Sequence, residues 1–165
     1  MGFFRSLWKE IVEIFYPSGN VKTVGKFTAS EVDRILRENG ITCQIKITDR
    51  TYAIVDDDCV AGSFYNYYAS LLDKLGIKNW REDYDCDSFS LFFVGLIQIS
   101  HYVSRTDTEG PGLGFVQYRP TGSPIDHVLV MKLNKDRSLR YFEPQSGSFK
   151  ELSKCERNSM SFVYF

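Results

Sequence analysis

Apolar residues recur along the chain with two periods, and the change of period divides it. The first part is mostly helical in spacing. Phe4, Leu7, Trp8, Ile11 and Phe15 fall on one side of an amphipathic helix over residues 1–17, ended by Pro17. Ser18-Gly19-Asn20 is a loop. Thr28-Ala29-Ser30-Glu31 is a capping box, which predicts a helix to Glu38 or Asn39 stopped by Gly40. Cys43 to Thr48 and Tyr52 to Val55 alternate like two short strands joined by Asp49-Arg50. Asp56-Asp57-Asp58 leads into a helix from about Ala61 to Leu75, with Gly76 as its stop. Three acids in a row are also metal-ligand chemistry, but a solvated helix N-terminus accounts for them better. From Ser88 to Val103, SFSLFFVGLIQISHYV is apolar on nearly every face, which predicts a helix in the middle of a core. Arg105 to Gly112 is a polar, Gly-rich loop. Beyond it the period falls to two: Gly114 to Tyr118, His127 to Leu133, Leu139 to Phe142 and Ser161 to Phe165 read as strands between turn residues. Helices first and an antiparallel sheet second make an α+β domain.

Composition narrows the function classes. A length of 165 residues suits a single domain over 1–165, and 43% hydrophobic with 15% aromatic residues argues against disorder. A net charge of −1 without a basic run excludes nucleic acid as a primary partner. Cys43, Cys59, Cys86 and Cys155 show no CxxC or zinc spacing, so neither a disulfide framework nor a zinc site is expected. Arg5, Lys9, Glu10 and Glu13 interrupt the N-terminal apolar run. That predicts neither a signal peptide nor a membrane span, but a helix that packs on the domain or docks on a protein partner.

The chemistry gathers at the start of the apolar helix. Cys86 lies between Asp85 and Asp87 there, with Asp85 as the expected N-cap. The positive end of a helix favours a thiolate, and the two aspartates oppose it. A base is found by elimination, since the chain has two histidines. His101 lies 15 residues further along the same helix, about 22 Å away and out of reach. His127 is left. If the hairpin turn Asn134-Lys135-Asp136 is centred on Lys135, His127 faces Glu143, Met131 faces Leu139 and Leu129 faces Tyr141. Asp126 then projects to the opposite face, so Glu143 is the orienting acid. A cysteine, a histidine and an acid in these roles are the parts of nucleophilic catalysis. Gln145 is either an oxyanion donor or a turn residue of Pro144-Gln145-Ser146-Gly147. Trp80 is a core residue or the wall of a substrate groove.

Three motifs carry a family resemblance: Tyr-Asp-Cys-Asp-Ser-Phe at a helix start, Asp-His-Val-Leu-Val on a strand, and Tyr-Phe-Glu-Pro-Gln-Ser-Gly after a hairpin. Together they resemble the papain-like cysteine protease domain at the C-terminus of the Marasmius oreades mushroom agglutinin. The Asp-Cys-Asp element is also similar to the Asp-Cys-Glu-Asp motif of bacterial transglutaminase-like cysteine proteinases. The resemblance covers about residues 52–152. It implies a papain-like or transglutaminase-like fold, with a central buried helix carrying the cysteine packed on an antiparallel sheet. It further implies Cys86 as nucleophile, His127 as base and Glu143 as third member, with Gln145 as an accessory group. The expected activity is cleavage of a peptide or protein through a thioester acyl-enzyme, with no cofactor required for the chemistry. Both families depend on calcium, so Asp85 and Asp87 become candidate Ca2+ ligands. Two aspartates fall short of the six to eight oxygens calcium takes, and Ser88 stands where the families often have another acid. The agglutinin's β-trefoil sugar-binding module has no counterpart here. Two other classes compete: a non-enzymatic interaction or phage virion structural protein on the same scaffold, and a peptidoglycan amidase or endopeptidase. The expected location is cytoplasmic or virion-associated.

Overall fold

Thr28 accepts the backbone N–H of Glu31 while the Glu31 carboxylate reaches back to the Thr28 N–H. This reciprocal cap starts helix α1, Ala29–Glu38. The computed structural model describes residues 21–77, 79, 81, 84–104 and 109–165. The N-terminal amphipathic helix and Trp80 fall outside them. Strand β1 (Thr23–Thr28) precedes α1, and β2 (Gln44–Lys46) and β3 (Thr51–Val55) follow it. A π-helical turn, Cys59–Ser63, runs directly into α2, Phe64–Lys74. The chain continues through α3 (Cys86–Ser104), β4 (Gly110–Pro111), β5 (Leu113–Tyr118), β6 (His127–Leu133), β7 (Leu139–Glu143), β8 (Ser148–Lys150), α4 (Lys154–Asn158) and β9 (Phe162–Tyr164).

The fold is α+β with two sheets, not one. The smaller has the order β1-β3-β4 and the larger β2-β9-β5-β6-β7-β8. Pairing is not wholly antiparallel as expected, because β2–β9 and β3–β4 are parallel. The neighbouring strands β2 and β3 thus join different sheets. The larger sheet is buried on both faces. Val130 and Phe142 pack against α2 and α3, whereas Leu129, Met131 and Tyr141 pack with Val32, Ile35 and Leu36 of α1. This alternation along β6 and β7 is the pleat dividing one strand between two cores.

The expectation of a helix buried all round is corrected for α3. Phe89, Ser90, Phe93, Leu96, Ile97, Ser100 and His101 are buried, but Leu91, Ile99, Tyr102 and Val103 are exposed. Its apolar length and composition would suit a membrane span, yet the buried stripe, at helical spacing, lies on the sheet instead. His101, out of reach of Cys86 as expected, is a buried packing residue, its Nε2 lying 3.0 Å from the Glu109 carbonyl. Asp57 is likewise structural. Lys132, buried on β6, places Nζ 2.7 Å from Asp57 Oδ1, and Arg140 Nη1 lies 2.6 Å from Oδ2. Burial pushes the Asp57 carboxyl up, but these hydrogen bonds outweigh it and hold the group below its usual range.

The hairpin turn is longer than the sequence suggests. Leu133 pairs with Leu139 and Val130 with Phe142, so the β6–β7 register lies two residues from the expected one. The loop between them holds Arg137 at φ +68°, a left-handed conformation. A shift of two keeps every side chain on its face, so His127 and Glu143 meet diagonally rather than directly.

After β7 the chain turns at Gly147, with φ +68°. A Cβ there would lie 2.2 Å from Tyr65 Cε1. Gly147→Ala is expected to cost about 1–3 kcal/mol, from the left-handed backbone and the displaced ring together. Urea unfolding of wild type and variant checks this; an unchanged midpoint would refute it.

Candidate functional site

Three antiparallel strands deliver their ends to one place, the first turn of α3. β5 ends at Tyr118, β6 begins at His127, and β7 ends at Glu143. Cys86 stands opposite them on α3. Asp85 caps that helix as expected, its carboxylate accepting the backbone N–H groups of Ser88 and Asp87.

The sequence-derived trio meets here. His127 Nε2 donates to Glu143 Oε2 at 2.6 Å. The Cys86 side chain lies against the same imidazole. These two contacts, Cys86 first and Glu143 second, overcome the opposing effect of burial and raise His127 to about 9. The imidazole is therefore a cation at neutral pH, next to a sulfur and tied to a buried carboxylate. Gln145 joins through its backbone, donating its N–H to Glu143 Oε1 at 3.2 Å. Asp126 is engaged elsewhere, with Arg119 Nε at 2.8 Å and Gln117 Nε2 at 2.9 Å.

Sequence reasoning missed Tyr118. It pairs with His127 across β5 and β6, and its ring meets the imidazole at 5.8 Å between centroids and 73° between planes. The signal was faint, since the pairing only emerges once the loop between β5 and β6 is closed. Its phenol is pushed up to about 12, by burial first and then by the charges of Glu156, Glu143 and Cys86, so it stays neutral.

Beside the trio a groove of about 490 Å3 runs along α2 to the first turns of α3. Tyr65 and Phe89 give it aromatic surface, Leu72 and Ile77 aliphatic surface, and Asp73, Asn79 and Gln145 polar groups. Gln145 borders both the groove and the trio.

The two candidate calcium ligands interact with each other. The Asp85 and Asp87 carboxylates hydrogen-bond each other, which lowers the pKa of Asp85 and raises that of Asp87, as for two acids sharing one proton. Among the described residues no group of three or more metal-binding side chains is present. Asp57 is held by Lys132 and Arg140.

No protein-family model matches the chain, and neither does any curated protein. Solved structures do. One is a complex of PSL1a with E64, 19% identical, with a TM-score of 0.67, covering 85% of this chain and 51% of that one. Another is Polyporus squamosus lectin bound to the human-type influenza-binding epitope Neu5Aca2-6Galb1-4GlcNAc, 19% identical, with a TM-score of 0.66, covering 85% of this chain and 49% of that one. At this identity the likeness establishes the fold, and the chain spans about half the length of the chains it matches. These matches overturn the expected assignment to the papain-like cysteine proteases. The protease and peptidoglycan-hydrolase activities, the acyl-enzyme step and the peptide substrate lose their support with it: one matched structure is a lectin bound to a trisaccharide, and at 19% identity over half of the matched chains a likeness of fold carries no activity to this chain. The virion-structural alternative has no support from them either. Three short motifs specify a local constellation of side chains; they do not specify what a fold is used for.

Proposed function

We propose that the chain is a non-enzymatic binding module whose ligand is a carbohydrate held in the groove beside α2. One observation carries this: the groove joins aromatic surface to closely set hydrogen-bonding side chains in an open volume of about 490 Å3. A sugar ring has an apolar C–H face and a rim of hydroxyls. The C–H face suits the Tyr65 ring, and the hydroxyls suit the Asp73 carboxylate and the Asn79 and Gln145 amides. The trisaccharide bound by the Polyporus squamosus lectin supports the same ligand class. Cys86, His127 and Glu143 are proposed as the functional centre at the polar end of this groove, joined to it through Gln145.

Titration calorimetry with a panel of neutral and sialylated oligosaccharides tests this. Saccharide binding that weakens about tenfold or more in both Tyr65→Ala and Asn79→Ala is the expected result, since truncating a contact residue in a binding site costs over about 1 kcal/mol. Folded protein that binds no saccharide, or affinity unchanged in both variants, would overturn it.

A further inference from the structure

We propose that Tyr118 is the positioning residue of the Cys86–His127 pair, its ring edge fixing the angle at which the imidazole meets the thiol. This rests on taking Cys86, His127 and Glu143 as the functional centre. Glu143 takes His127 Nε2, which leaves Nδ1 as the ring nitrogen open to the sulfur. Two in-plane hydrogen bonds on opposite sides of an imidazole leave it free to roll about the line joining them. Only packing against the ring prevents that roll. Tyr118 supplies such packing from β5, on the side of β6 away from β7 and Glu143. The centroid separation of 5.8 Å and the 73° angle fall in the range of edge-to-face aromatic pairs.

Tyr118 can hold the imidazole because it is itself held. It is buried in the core that includes Val116, Leu129 and Val163. The groups that meet His127 are then Cys86 from α3, Glu143 from β7 and Tyr118 from β5. Asp126, its chain neighbour, is committed to Arg119 and Gln117. An aromatic residue with a purely structural role would alter stability when replaced. It would not alter the chemistry of a thiol on another element.

The test is iodoacetamide labelling, followed by mass spectrometry, with the exposed Cys155 as internal reference in the same molecule. Wild type, Tyr118→Phe, Tyr118→Leu and His127→Ala are compared, each checked by circular dichroism. Tyr118→Phe keeps the ring and should retain the wild-type Cys86-to-Cys155 rate ratio. Tyr118→Leu should lower it about tenfold, the scale expected for a misplaced reacting group. If Leu does not fold, Tyr118→Met, also without a ring, reads the same contact. An unchanged ratio in the folded Leu or Met variant would overturn the proposal. So would an equal loss in Tyr118→Phe, which would assign the effect to the hydroxyl. If His127→Ala also leaves the ratio unchanged, the functional centre fails and the role of Tyr118 with it. Loss in His127→Ala alone removes only Tyr118.

Discussion

Phe93→Ala should lower the unfolding free energy by about 3–5 kcal/mol, the range for emptying a fully buried aromatic site. Phe93 has no exposed surface. Its ring contacts Phe64 at 5.4 Å, Tyr68 at 5.0 Å and Phe142 at 4.9 Å. Those partners belong to α2 and β7, so one ring ties α3 to both a helix and the sheet. The hole left by alanine is walled by other rings, which are too stiff to close it, and the cavity cost adds to the lost burial. For a chain of this length the loss corresponds to about 10 °C in melting temperature. Phe93→Leu, nearer in volume, should cost distinctly less. Phe93 lies two turns along the helix from Cys86, so the alanine variant should also loosen the seat of the thiol. Thermal and urea unfolding measure the effect, and a loss below about 1 kcal/mol would mean that the aromatic cluster does not hold α3 to the sheet.

Much of this arrangement was legible from local chemistry. The capping box at Thr28 and Glu31 marked α1, and Asp85 marked the start of α3. His127–Leu133 was read as a strand with the observed limits, because its β-branched and apolar residues stand between clear turn residues. Other features depend on the distant chain. Nothing local to Gln44–Lys46 says that it pairs in parallel with Phe162–Tyr164, and the strand β1 was not anticipated. The second capping box, Ser153 with Glu156, was present in the sequence and was overlooked; it starts α4. The apolar run of α3 overstated its burial, since composition does not reveal which side a sheet will cover.

The meeting of Cys86, His127 and Glu143 was legible for a particular reason. With two histidines and one of them out of reach on the cysteine's own helix, elimination did what pattern matching does poorly. The route from His127 to Glu143 used a register two residues in error. It still named the acid that His127 meets, because an error of two preserves the face and a diagonal pair remains within hydrogen-bond reach. An error of one would have lost the acid. Tyr118 and the groove were hidden because both require knowing which strands and helices are neighbours.

His127→Ala should reduce the iodoacetamide labelling of Cys86 at pH 7 by about 100-fold, the lower end of what a positioned acid–base partner contributes. The other cysteines set the background. Cys59 is buried, the half-buried Cys43 has its thiol pushed up by burial, and the exposed Cys155 serves as the reference. Glu143→Gln should have a smaller effect in the same direction, since it keeps the geometry but removes the charge that helps hold the imidazolium. The same protonation leaves a mark on stability. The folded-state pKa of His127 is raised, to about 9, above the ordinary 6.5. The protonated ring therefore contributes stability that is fully present below about pH 6.5 and is lost as the pH rises through about 9. Wild type should lose unfolding free energy across that window, and His127→Ala should lose less of it. Preferential labelling of Cys86 that vanishes with His127, together with a flatter stability profile, would identify one coupled thiol–imidazole centre. Equal labelling of Cys86 and Cys155 in wild type would reduce the pair to two neighbours in the end of a sheet.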